Sequence, residues 1–411
     1  MHDAFVSVSA ERIAEVGSGP GPEAKQSIDA HGGIVMPGLV NAHTHAAMTL
    51  FRGLADDLPL MEWLNEHVFP AEATHITPDA VYWGQQLACA EMIRSGTTCY
   101  CDMYYYEEDG ARASREAGVR AVLGEALIDF PGPDRLDPAA RLERNRRLCR
   151  QWADDPLIYG SVQPHAPYTC SPETMTAAKE IAEECDVVYL IHLAETETEV
   201  AQVREKHGVT PVGLLEKIGV LDSRVAAAHA VHLTADDISL LAERGAGTIN
   251  CPESNMKLVS GVSPVPDLLA AGVRVGLGTD GCASNNNLDM FGEMDTAAKI
   301  HKLACKDPTC VDAATVVRMA TANSASVIGL GNEIGSLEPG KRADLIIVDT
   351  NRPNLVPLYN EFSHLAYATS GGEVRTVIVD GRVLMRDWEL ATIDEEKVFA
   401  EVRAIARDIA V

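Results

Sequence analysis

At 411 residues the chain is long enough to bury one large core or two or three ordinary ones. Asp and Glu outnumber Lys and Arg 60 to 34, a net charge of −26 that disfavours nucleic acid or an anionic membrane surface as a partner, because both call for a positive field. No apolar run reaches transmembrane length and no signal peptide is recognisable. The ten cysteines are scattered without a Cys-x-x-Cys spacing, a reduced-thiol usage that makes the cytoplasm the expected compartment.

Taken in order, Ala4–Val8 and Arg12–Gly17 read as short strands followed by Gly/Pro punctuation. A matching β-rich block lies near the other end, at Ala343–Asp349 and Val374–Val379, with Asp380-Gly381 as a hairpin turn signal. Residues 1–35 are too few for a domain of their own, so the two ends are expected to combine into one small β-sandwich domain, 1–35 with 331–411. The tail Asp394–Val411 reads as an amphipathic helix opening on acidic residues. Between the ends, residues 36–330 alternate short apolar runs with helical patterns, the mark of repeated βα units. Strands are expected near 34–43, 97–103, 119–127, 157–164, 187–192, 225–229, 246–250 and 273–279. Eight such strands define an α/β fold of the (β/α)8, TIM-barrel type. A doubly wound sheet would bring a Gly-rich phosphate loop after its first strand, and none is present.

Residues suited to chemistry fall at the C-terminal ends of these strands: His43 and His45 on the first, His165 on the fourth, His192 with Glu195 on the fifth, His229 on the sixth and Asp280 on the eighth. In a barrel those ends meet at one mouth. Any one of these residues alone has an ordinary structural explanation; the constellation carries the signal. His43 and His45, two apart on a strand, project to the same face and reach one metal ion together. With His192 and Asp280 they form a three-histidine, one-carboxylate set that leaves a position for water, whose pKa a divalent ion lowers to about 7. Asp280 suits both ligation and acceptance of the water's proton. Glu195 suits general acid–base work beside the ligands, and His229 the orientation of attacking hydroxide. Two-metal sites on such barrels commonly use a carbamylated lysine from a middle strand. No lysine lies between Lys25 and Lys179, so one divalent ion per subunit is expected.

These residues together resemble the amidohydrolase superfamily: His43-Thr44-His45, His192-Leu193-Ala194-Glu195, Ala228-His229, Gly278-Thr279-Asp280-Gly281 and the stretch Ile334–Asp344. More narrowly, Met48–Leu58 through Glu62-Trp63-Leu64, Cys101–Tyr104, Pro164–Tyr168 and Ser284-Asn285-Asn286 resemble the deaminases of methylthioadenosine, S-adenosylhomocysteine and 5′-deoxyadenosine. The likeness covers nearly the whole chain. It implies that His43, His45, His192 and Asp280 bind the metal, zinc or alternatively iron. It also implies that Glu72 holds the ribose hydroxyls, that His165 contacts the nucleoside, and that Trp63 and Met103 pack near it. In the implied reaction hydroxide attacks C6 of adenine while Glu195 protonates ring N1, and Asp280 and Glu195 relay protons as ammonia leaves. A homo-oligomer, dimer or tetramer, is the family habit.

Two departures stand out. The family usually carries one more strand before Ala4–Val8, so the N-terminus is expected to be short of the pattern. Members that take S-adenosylhomocysteine are expected to offer an arginine after the third strand, where this chain reads Leu123-Gly124-Glu125-Ala126-Leu127. A buried Glu125 facing a substrate carboxylate would repel it, with Arg135 and Arg141 near enough in sequence to compensate. Small 5′ groups are therefore expected to be preferred. The rival readings are a deaminase or chlorohydrolase of the same superfamily acting on guanine, cytosine or a triazine, which needs no ribose-binding carboxylate, and a non-enzymatic barrel serving assembly, which needs no metal.

Overall fold

A computed structural model describes residues 1–409; the last two residues of the expected terminal helix lie outside the described residues. Eight parallel strand positions follow one another around a barrel: Leu39–His45, Thr97–Tyr104, Arg120–Leu127, Ile158–Gly160 continued by Gln163–Pro164, Tyr189–Leu193, Val225–His229, Gly247–Asn250, and Arg274–Leu277 continued by Asp280–Gly281. The ladder runs unbroken from Leu39–His45 to Ile158–Gly160 and again from Tyr189–Leu193 to Arg274–Leu277. A bridge between Val162 and Tyr189 joins the two halves on one side, and pairing of Asp280 with Thr44 joins them on the other. The strands are buried throughout, which is why they read as apolar runs without alternation. Several helices between them open on the same device: Thr77, Asp137, Ser171 and Thr210 each accept a backbone N–H three residues on, with proline at the next position.

A second sheet of five antiparallel strands has the order Glu389–Leu390, Arg382–Arg386, Val374–Val379, Leu345–Val348, Ile34–Pro37. The hairpin Ala4–Ser9/Arg12–Ser18 lies over it, sharing a core of Ile13, Ala343, Leu345 and Ile378, so both chain ends do form a two-layer β unit. The turn at Asp380-Gly381 has both residues at positive φ, as the hairpin signal required.

The expected strand 34–43 is corrected. Ile34–Pro37 pairs antiparallel with Leu345–Val348, and only after Gly38 does the chain enter the barrel beside Thr97. A Cβ on Gly38 would come within 2.0 Å of Thr98 Oγ1, so only glycine passes where the chain changes sheets. A boundary after residue 35 therefore cuts a strand, and we propose Gly38 as the point of division instead. The terminal helix, Glu395–Ile409, docks on the barrel rather than the β unit: Glu395 pairs with Arg94 at the end of helix Pro78–Arg94, and Val398 is buried. No helix among the described residues is long and apolar enough to cross a membrane.

Where the third barrel strand begins, Arg120 is fully buried and joins barrel to sheet. Its Nε and Nη2 donate to the two oxygens of Asp344 at 2.7 and 3.0 Å, Nη2 also to Asp380 at 3.2 Å, and Nη1 to the Pro156 carbonyl. Removing one partner of such a pair strands a buried charge at a cost of about 3–5 kcal/mol. Arg120→Met should lower the unfolding free energy in urea by that order; a loss below about 1 kcal/mol would show that the pair does not hold the two sheets together.

Candidate active site

At the C-terminal mouth of the barrel the nominated side chains converge. His43 Nε2 lies 3.1 Å from His192 Nε2 and 3.6 Å from Asp280 Oδ1, and His45 Nε2 lies 3.2 Å from the same Asp280 oxygen. Backbone carbonyls fix two tautomers: His45 Nδ1–H donates to Met103 O at 2.6 Å and His192 Nδ1–H to His165 O at 2.7 Å, leaving each Nε2 a lone pair directed inward. Burial drives His43 down to about 4, and burial with the neighbouring imidazoles drives His192 well below its ordinary range, so both stay neutral. For His45 burial acts the same way but is outweighed by Asp280, which raises it to about 9, so without a cation a proton on Nε2 bridges to Asp280 and a bound cation would take that proton's place. Burial alone would raise Asp280; the hydrogen bonds from His43 and His45 reverse this and hold it ionised.

This donor set fits a divalent cation. Ligands ~2.1 Å from one ion sit about 3.0–3.4 Å apart, close to the separations found. His43 Nδ1 is buried without a partner, so the imidazole contributes nothing to the protein's own hydrogen bonding on that side. Inward lone pairs and a carboxylate oxygen crowded together repel unless a cation is shared among them.

The last strand is what brings Asp280 here. It breaks after Leu277, and Asn41 replaces the missing ladder: its Nδ2 donates to Thr279 Oγ1 at 2.7 Å and its Oδ1 accepts from Thr279 N at 3.0 Å. Gly278 passes so near His43 that a Cβ would lie 2.8 Å from its backbone nitrogen. Asp280 then takes a left-handed φ of 60°, and its Oδ2 accepts from Ser254 and Ser284 at 2.6 and 2.8 Å, leaving Oδ1 for the histidines.

Glu195 is 6 % exposed and follows Ala194, which also has positive φ. The backbone N–H groups of Ala194 and Glu195 both donate to Glu199, at 2.8 Å each, which clamps the turn. Ser260 Oγ donates to Glu195 Oε1 at 3.2 Å, and His229 Nε2 stands 4.0 Å from the other oxygen. Burial raises the Glu195 pKa above the ordinary carboxylate range. His229 Nδ1 donates to Asn255 Oδ1 at 2.9 Å, and His165 Nδ1 to Thr169 Oγ1 at 3.0 Å, so both present Nε2 to the cavity.

Glu72, Trp63, Met103, His165, Glu195, His229 and Asp280 all line one cavity with His45 and His192, while His43 lies fully buried behind them. Trp63, Leu64 and Val68 come from one π-helical turn, Trp63–Val68, a form that places side chains out of α-helical register. The charge argument about Glu125 is corrected. Ala126 faces the cavity, so Glu125 points to the opposite face of its strand, where it accepts from Glu107 N at 2.9 Å and lies 3.5 Å from Arg144. Arg141 is buried against Asp134 and the carbonyls of Ile128 and Phe130, and Arg135 does not line the cavity. Sequence reasoning also missed Tyr104, Tyr105 and Tyr168 on the cavity wall and the serine and glutamate supports of Asp280 and Glu195.

Fold and donor set together define a metal-dependent hydrolase built on a (β/α)8 barrel. The chain belongs to the amidohydrolase family, which matches residues 34–384. It is 55% identical to a 5-methylthioadenosine/S-adenosylhomocysteine deaminase of Syntrophobacter fumaroxidans, over 94% of this chain and 88% of that one. It is 47% identical to a 5′-deoxyadenosine deaminase of Methanothermobacter thermautotrophicus, over 98% and 94%. Among solved structures it is similar to an adenosine deaminase from Xanthomonas campestris with bound zinc, at 39% identity and a TM-score of 0.95, covering 100% of this chain and 94% of that one.

Elemental analysis of the purified protein should find about one divalent ion per chain, and His192→Ala should lose it while keeping the far-ultraviolet circular dichroism of the barrel. Full metal content in that variant would take His192 out of the ligand set.

Proposed function

We propose that the chain is a hydrolytic deaminase of 5′-substituted adenosines, exchanging the amine on C6 of the adenine ring for oxygen and releasing ammonia. The observation that carries this reading is Glu72. Its carboxylate is 3 % exposed and faces the cavity that Glu195 and Asp280 share, with the Tyr104 hydroxyl beside it. Burial raises its pKa to about 7. A vicinal diol offers two donors to such a carboxylate and favours its ionised form, whereas a bare purine or a triazine has no diol to place there. The names of the relatives agree with an adenosine-type substrate.

In this reading His43, His45, His192 and Asp280 hold the metal, zinc by preference for this N₃O donor set, with iron the alternative. Bound there, a divalent ion supplies water ionised near neutral pH. Glu195 hands a proton to ring N1, Asp280 accepts the proton given up by the attacking water, and the two relay protons to the departing ammonia. His229 orients the oxygen, His165 presents Nε2 to the nucleoside, Glu72 takes the ribose hydroxyls, and Trp63 and Met103 pack against the ligand. The ten cysteines are all free, in keeping with a cytoplasmic enzyme. The exposed run Val356, Leu358, Tyr359 and Phe362 supports assembly into a homo-oligomer, dimer or tetramer.

Small 5′ groups remain the preferred substituents, on a different ground from Glu125. The cavity wall carries no lysine or arginine among the described residues, so the amino-acid carboxylate of S-adenosylhomocysteine would be buried beside Glu72 and Glu195 without a counter-ion. Specificity constants for 5′-deoxyadenosine, methylthioadenosine and adenosine should exceed that for S-adenosylhomocysteine by about tenfold or more; comparable values for all four would refute this. Glu72→Ala should lower kcat/KM on adenosine by about 100-fold, two charge-assisted hydrogen bonds being lost. An unchanged KM in that variant would move the reaction to a ring amine without ribose. Glu195→Gln should retain its metal and lose about 10²–10⁴ in kcat, and full turnover would remove its role in proton transfer.

A further inference from the structure

Of the tyrosines on the cavity wall that the reading above does not use, Tyr104 stands apart. Tyr104, the last residue of the second barrel strand, is 2 % exposed and lines the cavity, and its hydroxyl is buried without a hydrogen-bond partner. It lies close enough to Glu72 for its hydroxyl to act on that carboxylate as a donor and temper the rise in its pKa, although the approach falls short of full hydrogen-bond geometry. A buried hydroxyl that reaches no well-formed hydrogen bond, beside a buried carboxylate on the same wall, is costly for the free protein to keep.

We propose that Tyr104 is a specificity-determining residue that binds one ribose hydroxyl jointly with Glu72. A ribose hydroxyl is both donor and acceptor, and the two side chains supply the complementary halves. The hydroxyl donates to the Glu72 carboxylate and accepts from Tyr104 Oη, while its neighbour on the ring donates to the second Glu72 oxygen. Glu72 alone satisfies the two donors of a diol but leaves the acceptor lone pairs of both hydroxyls unpaired in a largely apolar pocket walled by Leu64, Val68 and Phe69. Tyr104 supplies the missing donor. The pair thus distinguishes a ribonucleoside from its deoxy analogues by leaving buried groups unpaired when one hydroxyl is absent, the arrangement that rejects an analogue most strongly.

This rests on the adenosine-type reading, and the experiment separates the two. Steady-state kinetics are measured for wild type and Tyr104→Phe on adenosine, 2′-deoxyadenosine and 3′-deoxyadenosine, together with the melting temperature of each free protein. The phenylalanine variant should melt at the same temperature or higher, since it removes a hydroxyl that has no partner in the free protein. Its KM for adenosine should rise roughly 5–10-fold with kcat within about twofold. For one of the two deoxy analogues, the one lacking the contacted hydroxyl, wild type and variant should coincide within about twofold. An equal loss on all three nucleosides, or no loss on adenosine, would overturn the role of Tyr104 and leave the deaminase reading intact. Absence of turnover on all three by the metal-loaded wild type would overturn both.

Discussion

The site depends on how the barrel closes. The eighth strand cannot simply continue its ladder to the first, because Asp280 must turn inward where the strand would run straight. The buried Asn41 side chain imitates a strand edge, offering Thr279 both a donor and an acceptor, and this lets the chain break and still seal. Two glycines make room: Gly38 where the first strand leaves the β unit, and Gly278 where the eighth passes His43. The proposed ligands therefore inherit their spacing from backbone pairing rather than from flexible side chains. Asp280 stands opposite Thr44, between the two histidines of the first strand.

Around that frame, charge is distributed by burial and by who donates to whom. Desolvation keeps His43, His165 and His192 neutral, while Asp280 stays ionised because two serines occupy one oxygen and imidazoles face the other. Glu195 occupies the opposite regime, with burial favouring its protonated form and a single serine hydroxyl in contact. Asp280 and Glu195, in one cavity, are thus pushed in opposite directions, as a division of labour between a base and an acid requires. Glu199 holds the backbone of the turn that carries Glu195.

Much of this was legible in the sequence because barrels convert strand ends into a site, so locating the strands located His43, His45, His192, His229 and Asp280. What stayed hidden was of four kinds. The change of sheet at Gly38 was masked because apolar residues flank it on both sides, although the Pro37-Gly38 pair is itself a breaker signal. Glu125 was placed on the wrong face because alternation gives two faces but not which is inner until one residue is anchored, and Ala126 supplies that anchor only in three dimensions. Glu199 reads as one member of a solvated acidic run, yet it is 2 % exposed while Glu197 is open to solvent.

Tyr104 belongs to a fourth case, in which the pattern itself misleads. Met103, Tyr104 and Tyr105 all line the cavity, which strict alternation forbids. The strand ends at Tyr104, and Tyr106 turns through a left-handed φ of 56° into the following helix, so the last residues of the strand fan across the mouth instead of alternating through the wall. Specificity in such a barrel is written where regular structure stops. The side chains proposed as metal ligands answer to the ladder and are fixed by it, whereas those proposed to recognise the rest of the substrate answer to the turns.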